Sequence, residues 1–301
     1  MKAFGATPGS DALMLRWMPA VFVLIWSTGF VVARYGMPHA PPFTFLSLRF
    51  ALSLLAFGLW VAWSRPAWPQ GRAQWFHLAV TGALIHAGYL GGVWAAVKGG
   101  MGAGLVALLV GLQPVLTALW LSWQGPAHRV TARQWLGLGL GLSGLLLVVM
   151  HKLQLGLASW PVVAMALAAL LGITVGTLYQ KRWVLPCDVR SASFVQLLAA
   201  LLVLAPLAAM ESEPIVWHPQ LWGALAWSVL VLTLGGSSLL YLLIQRGAAT
   251  SVSSLMYLVP PTTALMAAWL FAEPLSPPIL AGLVLSALGV ALVLRVSSPT
   301  R

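Results

Sequence analysis

Ten apolar stretches of roughly 20 residues follow one another along the chain, and they restrict its fold more than any other feature. A stretch of this length crosses the hydrocarbon core of a bilayer as one α-helix, whose backbone groups are hydrogen-bonded internally. The gaps between the stretches are too short for a soluble domain. The sequence therefore predicts an all-α polytopic membrane protein with ten transmembrane helices, at residues 18–35, 43–63, 74–96, 102–123, 133–150, 157–179, 191–209, 221–244, 250–271 and 278–295.

The composition supports this class, because hydrophobic residues make up 60% of the chain and charged residues only 7%. Soluble proteins carry roughly a quarter charged residues. A formal net charge of +11 would favour a nucleic-acid partner in a soluble protein, so the positions of the basic residues decide what it means.

The basic residues alternate between the two sides of the predicted membrane. If the N-terminus is cytoplasmic, twelve of the 16 Lys and Arg residues lie in inner segments, three lie in outer loops, and Arg49 lies within a span. By the positive-inside rule, this distribution predicts that both termini are cytoplasmic. The excess of Arg (twelve) over Lys (four) hints at a GC-rich bacterial source, and the predicted location is the bacterial plasma (inner) membrane.

Residues 103–144 recur in a less faithful copy at residues 249–289. Pro114 matches Pro260, since each follows an alanine by eleven residues. Two glycine pairs, Gly137/Gly144 and Gly282/Gly289, keep the same separation of seven. The recurrence indicates a duplicated membrane unit with matched helix breakers.

Each half of the chain contains five spans, and an odd number gives the second half the opposite orientation in the membrane. The sequence therefore predicts two inverted five-helix repeats, residues 1–152 and 153–301. A weaker match between residues 44–49 and 191–196 places Arg49 opposite Gln196. Inverted repeats are the architecture of alternating-access carriers, in which exchanging the conformations of the halves moves the opening from one side to the other.

The chain resembles the EamA type of the drug/metabolite transporter superfamily. The resemblance rests on I-W-S-T-G-F at residues 25–30, Arg49, the span-four and span-nine prolines, and L-F-A-E-P-L at residues 270–275. It implies ten helices in two repeats and the export of amino acids, related metabolites or lipophilic cations. One departure is that Glu273 has no acidic counterpart after span four, which leaves its role open; Gly125, Pro126 and Ala127 stand there instead.

Polar and aromatic residues inside the apolar spans are the candidate substrate-binding residues, because polar groups at membrane depth face a neighbouring helix or a wet cavity. His86 and Tyr89 are one turn apart and share a helix face. Several of the candidates are expected to line one cavity. They are Trp26, Ser27, His86, Tyr89, Trp94, Gln113, Thr174, Ser237, Tyr241 and Tyr257.

A second group, Arg49, Pro114, Pro260 and Glu273, is predicted to be structural or gating. A proline inside a helix removes one backbone hydrogen bond, so spans four and nine are expected to kink beside the cavity, freeing the carbonyls of Val110 and Met256. Arg49 either anchors span two or contacts the substrate directly.

The role of His86 stays open on the sequence alone. The residue is either a packing residue or a titratable group used in proton coupling.

The glycine runs favour close helix packing over nucleotide binding, and no lysine-bearing phosphate loop occurs, so an ATP-driven pump is disfavoured. No cofactor or metal is expected, and Cys187 is interpreted as a spare cytoplasmic thiol.

The sequence favours a secondary membrane transporter that exports small organic solutes such as amino acids or related metabolites by alternating access. The alternatives are a multidrug or lipophilic-cation exporter of the same fold, a passive channel and an intramembrane enzyme. The enzyme is disfavoured because no H-E-x-x-H motif, paired carboxylates or Ser/His/Asp set lies at membrane depth. The expected partners are the lipid bilayer and a small-molecule substrate, with proton coupling and the choice between monomer and homodimer left open.

Overall fold

The structure, a computed structural model, describes residues 8–123, 131–154, 159–236, 239 and 258–295. Helical segments occur at each of the ten predicted spans, and no strand occurs within the described ranges. We number the helices by span. They are α1 (Pro8–Gly36), α2 (Pro42–Ser64), α3 (Arg72–Lys98), α4 (Ala103–Val110 and Gln113–Trp123), α5 (Ala132–Gln154), α6 (Trp160–Trp183), α7 (Val189–Ala209), α8 (Pro219–Ala226, continued by Trp227–Gly236), α9 (Val259–Phe271) and α10 (Pro277–Arg295).

Four of these helices, α2, α3, α6 and α7, are long and apolar enough to cross a membrane by length and composition. Shorter apolar helices of 10–17 residues lie in α1, α4, α5, α9 and α10. Large apolar side chains such as Leu59 and Leu202 are exposed on the outside of the bundle, where lipid rather than water would cover them. The predicted all-α, multi-pass fold with helices at ten spans is confirmed.

Three described helices depart from regular α geometry. α3 widens to a π-helix over Ala83–Leu90, and α8 does the same over Trp227–Gly236. α4 is interrupted at Gly111 and Leu112. There the Leu112 amide donates to the Leu109 carbonyl, three residues earlier, instead of to the carbonyl four residues earlier as in a regular α-helix. Such irregularities expose backbone polar groups and are frequent at functional sites, so they single out α3, α4 and α8.

The contacts between helices follow a two-fold pattern. α5 packs most extensively on α10, α2 on α7, and α4 on α9, so that three spans contact the span five places later. α3 packs on α6, and its counterpart contact is that of α1 with α8. Exchanging each helix with its counterpart therefore maps these contacts onto one another, as expected for two inverted repeats related by an approximate two-fold axis.

The α5–α10 contact is built on the duplicated glycines. A Cβ atom added at Gly144 would lie 2.5 Å from the carbonyl oxygen of Gly282, and one added at Gly289 would collide with the carbonyl of Gly137. The approximate two-fold axis relates these two contacts to each other, because Gly137 matches Gly282 and Gly144 matches Gly289. The backbones of α5 and α10 thus touch directly, which is the close packing that the glycine runs predict.

Carboxylates at the predicted outer end join the two halves. Glu211, which follows α7, accepts hydrogen bonds from the Phe43 amide (3.0 Å) and the Thr44 amide (2.8 Å) at the start of α2. Glu213 pairs with Lys98 at the end of α3. A carboxylate at a helix N-terminus satisfies free N–H groups and the positive end of the helix dipole, so Glu211 stabilises the junction between α7 and α2.

Candidate functional site

A cavity of about 140 Å³ lies at the centre of the bundle. Its wall comes from α1, α2, α3, α6, α7 and α8, which belong to both halves of the chain. Most of the lining is aromatic or aliphatic, and the polar side chains are contributed by α1, α2, α3 and α8. The lining residues are Trp26, Gly29, Phe30, Arg49, Phe50, Ile85, His86, Tyr89, Leu90, Val93, Trp94, Ile173, Leu197, Leu232 and Thr233.

A second cavity of about 60 Å³ adjoins the first. It lies where the break in α4 meets the start of α9, and its wall includes Gln113 and both duplicated prolines. The two cavities share four lining residues, which come from α1, α3 and α6. The shared residues are Trp26, Phe30, Tyr89 and Ile173.

The structure brings five of the ten candidate substrate-binding residues to these two cavities. Trp26, His86, Tyr89 and Trp94 line the first cavity, and Gln113 lines the second. Three of the four residues assigned to structural or gating roles also lie in these walls, Arg49 in the first and Pro114 and Pro260 in the second, whereas Glu273 lies in neither. Three predicted residues, Ser237, Tyr241 and Tyr257, lie outside the described residues.

Ser27 and Thr174 line neither cavity, because both hydroxyls are used within the helix packing. Ser27 is fully buried, and its hydroxyl lies 3.5 Å from the Val259 carbonyl of α9, to which it donates. Thr174 donates to the Leu170 carbonyl of its own helix at 2.6 Å. A hydroxyl that bonds the preceding turn is satisfied locally and need not face a polar cavity.

Arg49 enters the cavity wall from α2 and is held by α8. Its Nε atom and one terminal nitrogen donate to the Thr233 hydroxyl, at 3.3 and 3.2 Å. Thr233 in turn donates to the Ser228 carbonyl at 2.8 Å, so its oxygen is free to accept from the guanidinium. The Arg49 side chain is 7% exposed, which is unusual for an arginine at membrane depth, where an unpaired charge costs at least about 3 kcal/mol.

His86 takes part in the two-fold counterpart of the Arg49–Thr233 contact. It lies on the π-helical segment of α3, and its ring neighbours the side-chain amide of Gln196 on α7. Arg49 and Gln196 are 147 residues apart in the sequence, and so are His86 and Thr233. The Arg49–Thr233 and Gln196–His86 pairs are therefore the same two-fold-related contact made with different chemistry.

Gln113 is oriented by a hydrogen bond across to α6. Its amide nitrogen donates to the Thr177 hydroxyl at 3.1 Å, and Thr177 donates its own proton to the carbonyls of Ile173 (2.8 Å) or Thr174 (3.0 Å). Because the Thr177 proton is already used, Gln113 has to be the donor. Its amide oxygen is left as an acceptor in the wall of the second cavity.

Both prolines lie in the first turn of a described helical segment, and Pro114 follows the break in α4 at Gly111 and Leu112. Pro114 is the second residue of the segment Gln113–Trp123, and Pro260 is the second residue of Val259–Phe271. In the first turn the missing proline N–H breaks no helical bond. Val110, four residues before Pro114, lines the second cavity, whereas Met256 lies outside the described residues.

Gly111 allows the break in α4 to approach Pro260 in α9 closely. A Cβ atom at this position would lie 2.7 Å from Cγ of Pro260 and 3.1 Å from the Ala107 carbonyl oxygen. A side chain there would push α9 away from α4, so the first copy of the repeat is adapted to the proline of the second.

Glu273, whose role the sequence leaves open, caps the first segment of α4. One carboxylate oxygen accepts from the Ala103 amide at 3.1 Å, and the same carboxylate lies against Gly102. The residue thus connects the end of α9 to the start of its counterpart helix. Since the span-four loop carries no matching acid, this connection is one-sided.

A bundle of two repeats that encloses a polar-edged cavity at membrane depth is the architecture of membrane transporters. The sequence pattern of the EamA-like transporter family matches residues 17–150 and again residues 160–295, one match in each half. The chain belongs to this family.

Related proteins agree with this assignment. The chain is 25% identical over 252 residues to an uncharacterised transporter of Archaeoglobus fulgidus, covering 82% of this chain and 86% of the relative. It is 25% identical over 277 residues to the uncharacterised transporter YvbV of Bacillus subtilis, covering 91% and 89%. A shorter match of 166 residues at 26% identity covers 55% of this chain and 53% of a probable amino-acid metabolite efflux pump of Salmonella typhimurium.

The fold also occurs in a solved structure. A crystal structure of another protein superposes with a TM-score of 0.62 at 18% sequence identity, covering 93% of this chain and 96% of that one. This likeness supports the arrangement of the helices along almost the whole chain.

Sequence reasoning missed Thr233 and the apolar part of the cavity wall. Phe30, Phe50 and Leu232 read as ordinary apolar residues within their spans. Thr233 was detectable, because the 147-residue offset that pairs Arg49 with Gln196 also pairs it with His86. The π-helical segments left no recognisable pattern in the sequence.

Proposed function

We propose that this chain is a secondary transporter that exports small organic solutes, such as amino acids or related metabolites, across the bacterial inner membrane. The two repeats, residues 1–152 and 153–301, would rock about the central cavity with both termini in the cytoplasm. The observation that carries the proposal is the cavity itself, which is lined by residues of both halves and edged by the π-helical segments of α3 and α8. Irregular backbone at membrane depth is tolerated where it lines such a cavity.

The size and lining of the cavity favour a small metabolite over a drug-sized solute. Drug-binding pockets commonly measure roughly 300–1,000 Å³, whereas the two cavities here measure about 140 and 60 Å³. A lipophilic cation would also need a counter-charge in a site of low polarity, and none of the described lining residues is acidic. The name of the Salmonella relative supports an amino-acid metabolite as the substrate.

Uptake into proteoliposomes tests the substrate class. The purified protein is reconstituted, and transport of amino acids and of quaternary amines is measured with and without a pH gradient. We expect uptake of amino acids or their derivatives. Uptake of quaternary amines alone would replace the proposal with the cation exporter, and no uptake of any solute would contradict a transport function.

The cavity residues provide a direct check within the same assay. Tyr89→Ala or Gln113→Ala is expected to lower uptake about tenfold, because each removes a hydrogen-bonding group from the wall while leaving the backbone contacts in place. Ser27→Ala is the matched control, since its hydroxyl lies in the α1–α9 contact outside both cavities. Unchanged kinetics for both cavity variants would remove Tyr89 and Gln113 from the site.

Locking the two halves together separates a carrier from a channel. A Cβ atom at Gly104 would lie 3.2 Å from Cβ of Ala264, close to the roughly 3.5–4.5 Å of a disulfide, so a cysteine pair at these positions in a Cys187→Ser background links α4 to α9. A carrier stops when the disulfide forms and recovers on reduction. Transport that continues through the oxidised protein would indicate a channel.

Proton coupling is tested at His86. If this ring carries the coupling proton, His86→Gln abolishes transport driven by a pH gradient and leaves exchange intact. Retained pH-gradient dependence would exclude His86 from coupling.

A further inference from the structure

We propose that Arg49 is the carboxylate-binding residue of the central cavity, so that the transported solutes carry a carboxylate and need no ammonium group. This inference rests on the proposed transport function and names its substrate class. It also assigns Arg49 a substrate contact in place of a purely structural role.

The guanidinium has donors to spare. Its Nε and one terminal nitrogen both point to a single acceptor, the Thr233 hydroxyl, and no other hydrogen-bond partner of Arg49 occurs among the described residues. A guanidinium carries five N–H donors in a planar fork that fits the two oxygens of a carboxylate. Thr233 therefore fixes the orientation of the fork and leaves most of its donors for a ligand.

The protein supplies no counter-charge for Arg49. The chain has five acidic residues, and none falls within the ten predicted spans. Four of them have other partners in the structure: Asp188 pairs with Arg190, Glu213 with Lys98, and Glu211 and Glu273 cap α2 and α4. The fifth, Asp11, precedes the first predicted span.

The surroundings of Arg49 make an anionic ligand favourable. Phe30, Phe50 and Trp94 line the same cavity, and they offer the guanidinium neither a hydrogen-bond acceptor nor a charge. A charge in such an environment is stabilised most by an ion of opposite sign that brings its own hydrogen-bond acceptors. The aromatic wall would meanwhile contact the apolar body of the solute.

The same chemistry disfavours a positively charged solute. Arg49 would repel it, and none of the described lining residues carries a negative charge. A zwitterionic amino acid is accommodated only if its ammonium group finds neutral acceptors, such as the Gln113 amide oxygen in the adjoining cavity. A carboxylate without an ammonium group avoids that requirement.

Three compounds of the same carbon skeleton test this preference for a carboxylate over a positively charged group. 4-Methyl-2-oxopentanoate is an anion, L-leucine is a zwitterion, and L-leucinamide is a cation at neutral pH. Binding is measured by thermal stabilisation of the purified full-length protein, and uptake is measured separately in proteoliposomes. We expect the oxo acid and leucine to stabilise the wild type and leucinamide to have no effect.

Variants of two arginines locate the effect. Arg49→Gln is expected to raise the half-maximal concentration of both acids about tenfold or more, and Arg49→Lys, which keeps the charge but loses the fork, is expected to raise it less. Arg34→Gln is the matched control, because it removes the same charge from the end of α1 at a side chain that packs over Phe271 outside the cavity.

The outcomes separate this inference from the transport function. Equal stabilisation of the wild type and Arg49→Gln by the acids, or no stabilisation of the wild type by either acid, overturns the carboxylate site. Stabilisation by leucinamide that Arg49→Gln leaves unchanged overturns it as well. Acids that bind at Arg49 but are not transported would support the site and contradict the proposed function. Should Arg49→Gln not fold, the comparison of Arg49→Lys with Arg34→Gln decides.

Discussion

The α5–α10 contact and the central cavity each contain residue pairs that the same approximate two-fold axis relates. Only in the helix contact are the related residues of the same type in both halves. Gly144 meets Gly282 as Gly137 meets Gly289, with glycine at all four positions. In the cavity the equivalent pairs are Arg49 with Thr233 and Gln196 with His86. Packing two helices backbone to backbone has the same requirement in each half, whereas binding an asymmetric solute requires the halves to differ.

The same division holds for the connections at the predicted outer end. Glu273 caps α4 from the second half, and no acidic residue stands at the matching place in the first. The prolines, in contrast, are matched, since Pro114 and Pro260 each stand in the first turn of a described segment. The two halves thus share the positions of these prolines and differ in their polar side chains.

The largest effect is expected at the symmetric contact. Gly289→Ala places a Cβ atom against the Gly137 carbonyl and the Gly141 amide, so it is expected to lower the free energy of unfolding by about 1–3 kcal/mol. Gly139→Ala, in the same helix pair, is the control, because no neighbouring atom lies within 4 Å of the Cβ atom that it would add. Thermal unfolding in detergent, followed by size-exclusion chromatography, measures both. Equal stability of the two variants would show that α5 and α10 do not pack through these glycines.

A smaller effect is expected at the one-sided cap. Glu273→Ala removes the acceptor for the Ala103 amide at the start of α4 and is expected to cost about 1 kcal/mol of stability. Glu273→Gln keeps an amide oxygen at the same place and should lose less. The melting temperatures of the two variants are the measurement. A Glu273→Ala protein as stable as the wild type would rule out the capping role.

The smallest effect is expected from the orienting hydroxyl in the cavity. Thr233→Val removes the acceptor that holds the Arg49 fork but keeps the shape of the side chain, so carboxylate binding is expected to weaken by a few fold, equivalent to about 0.5–1 kcal/mol. Gln196→Leu changes the counterpart pair without touching Arg49 and should leave carboxylate affinity nearly unchanged. A larger loss from Gln196→Leu than from Thr233→Val would mean that the binding polarity lies on the His86 side.

Much of the site was predictable where chemistry is carried by single residues. Polar residues in an apolar span are conspicuous, and Trp26, His86, Tyr89, Trp94 and Gln113 all reach a cavity wall. Ser27 and Thr174 show the limit of that reasoning. A hydroxyl can be satisfied by a carbonyl of its own or a neighbouring helix, and the sequence does not distinguish this from exposure to a cavity.

The sequence by itself determined the class of the protein. Hydrophobic length fixes the spans, since a bilayer accepts only segments of sufficient apolar length, and the duplicated prolines and glycines identify the repeat. The tertiary structure alone decided which polar groups meet. Arg49 and Thr233 are 184 residues apart in the chain, and Ala103 and Glu273 are 170 apart, so both contacts arise from how the two halves pack. Segment length is a local property, whereas the partner of a buried charge depends on the whole arrangement of helices around it.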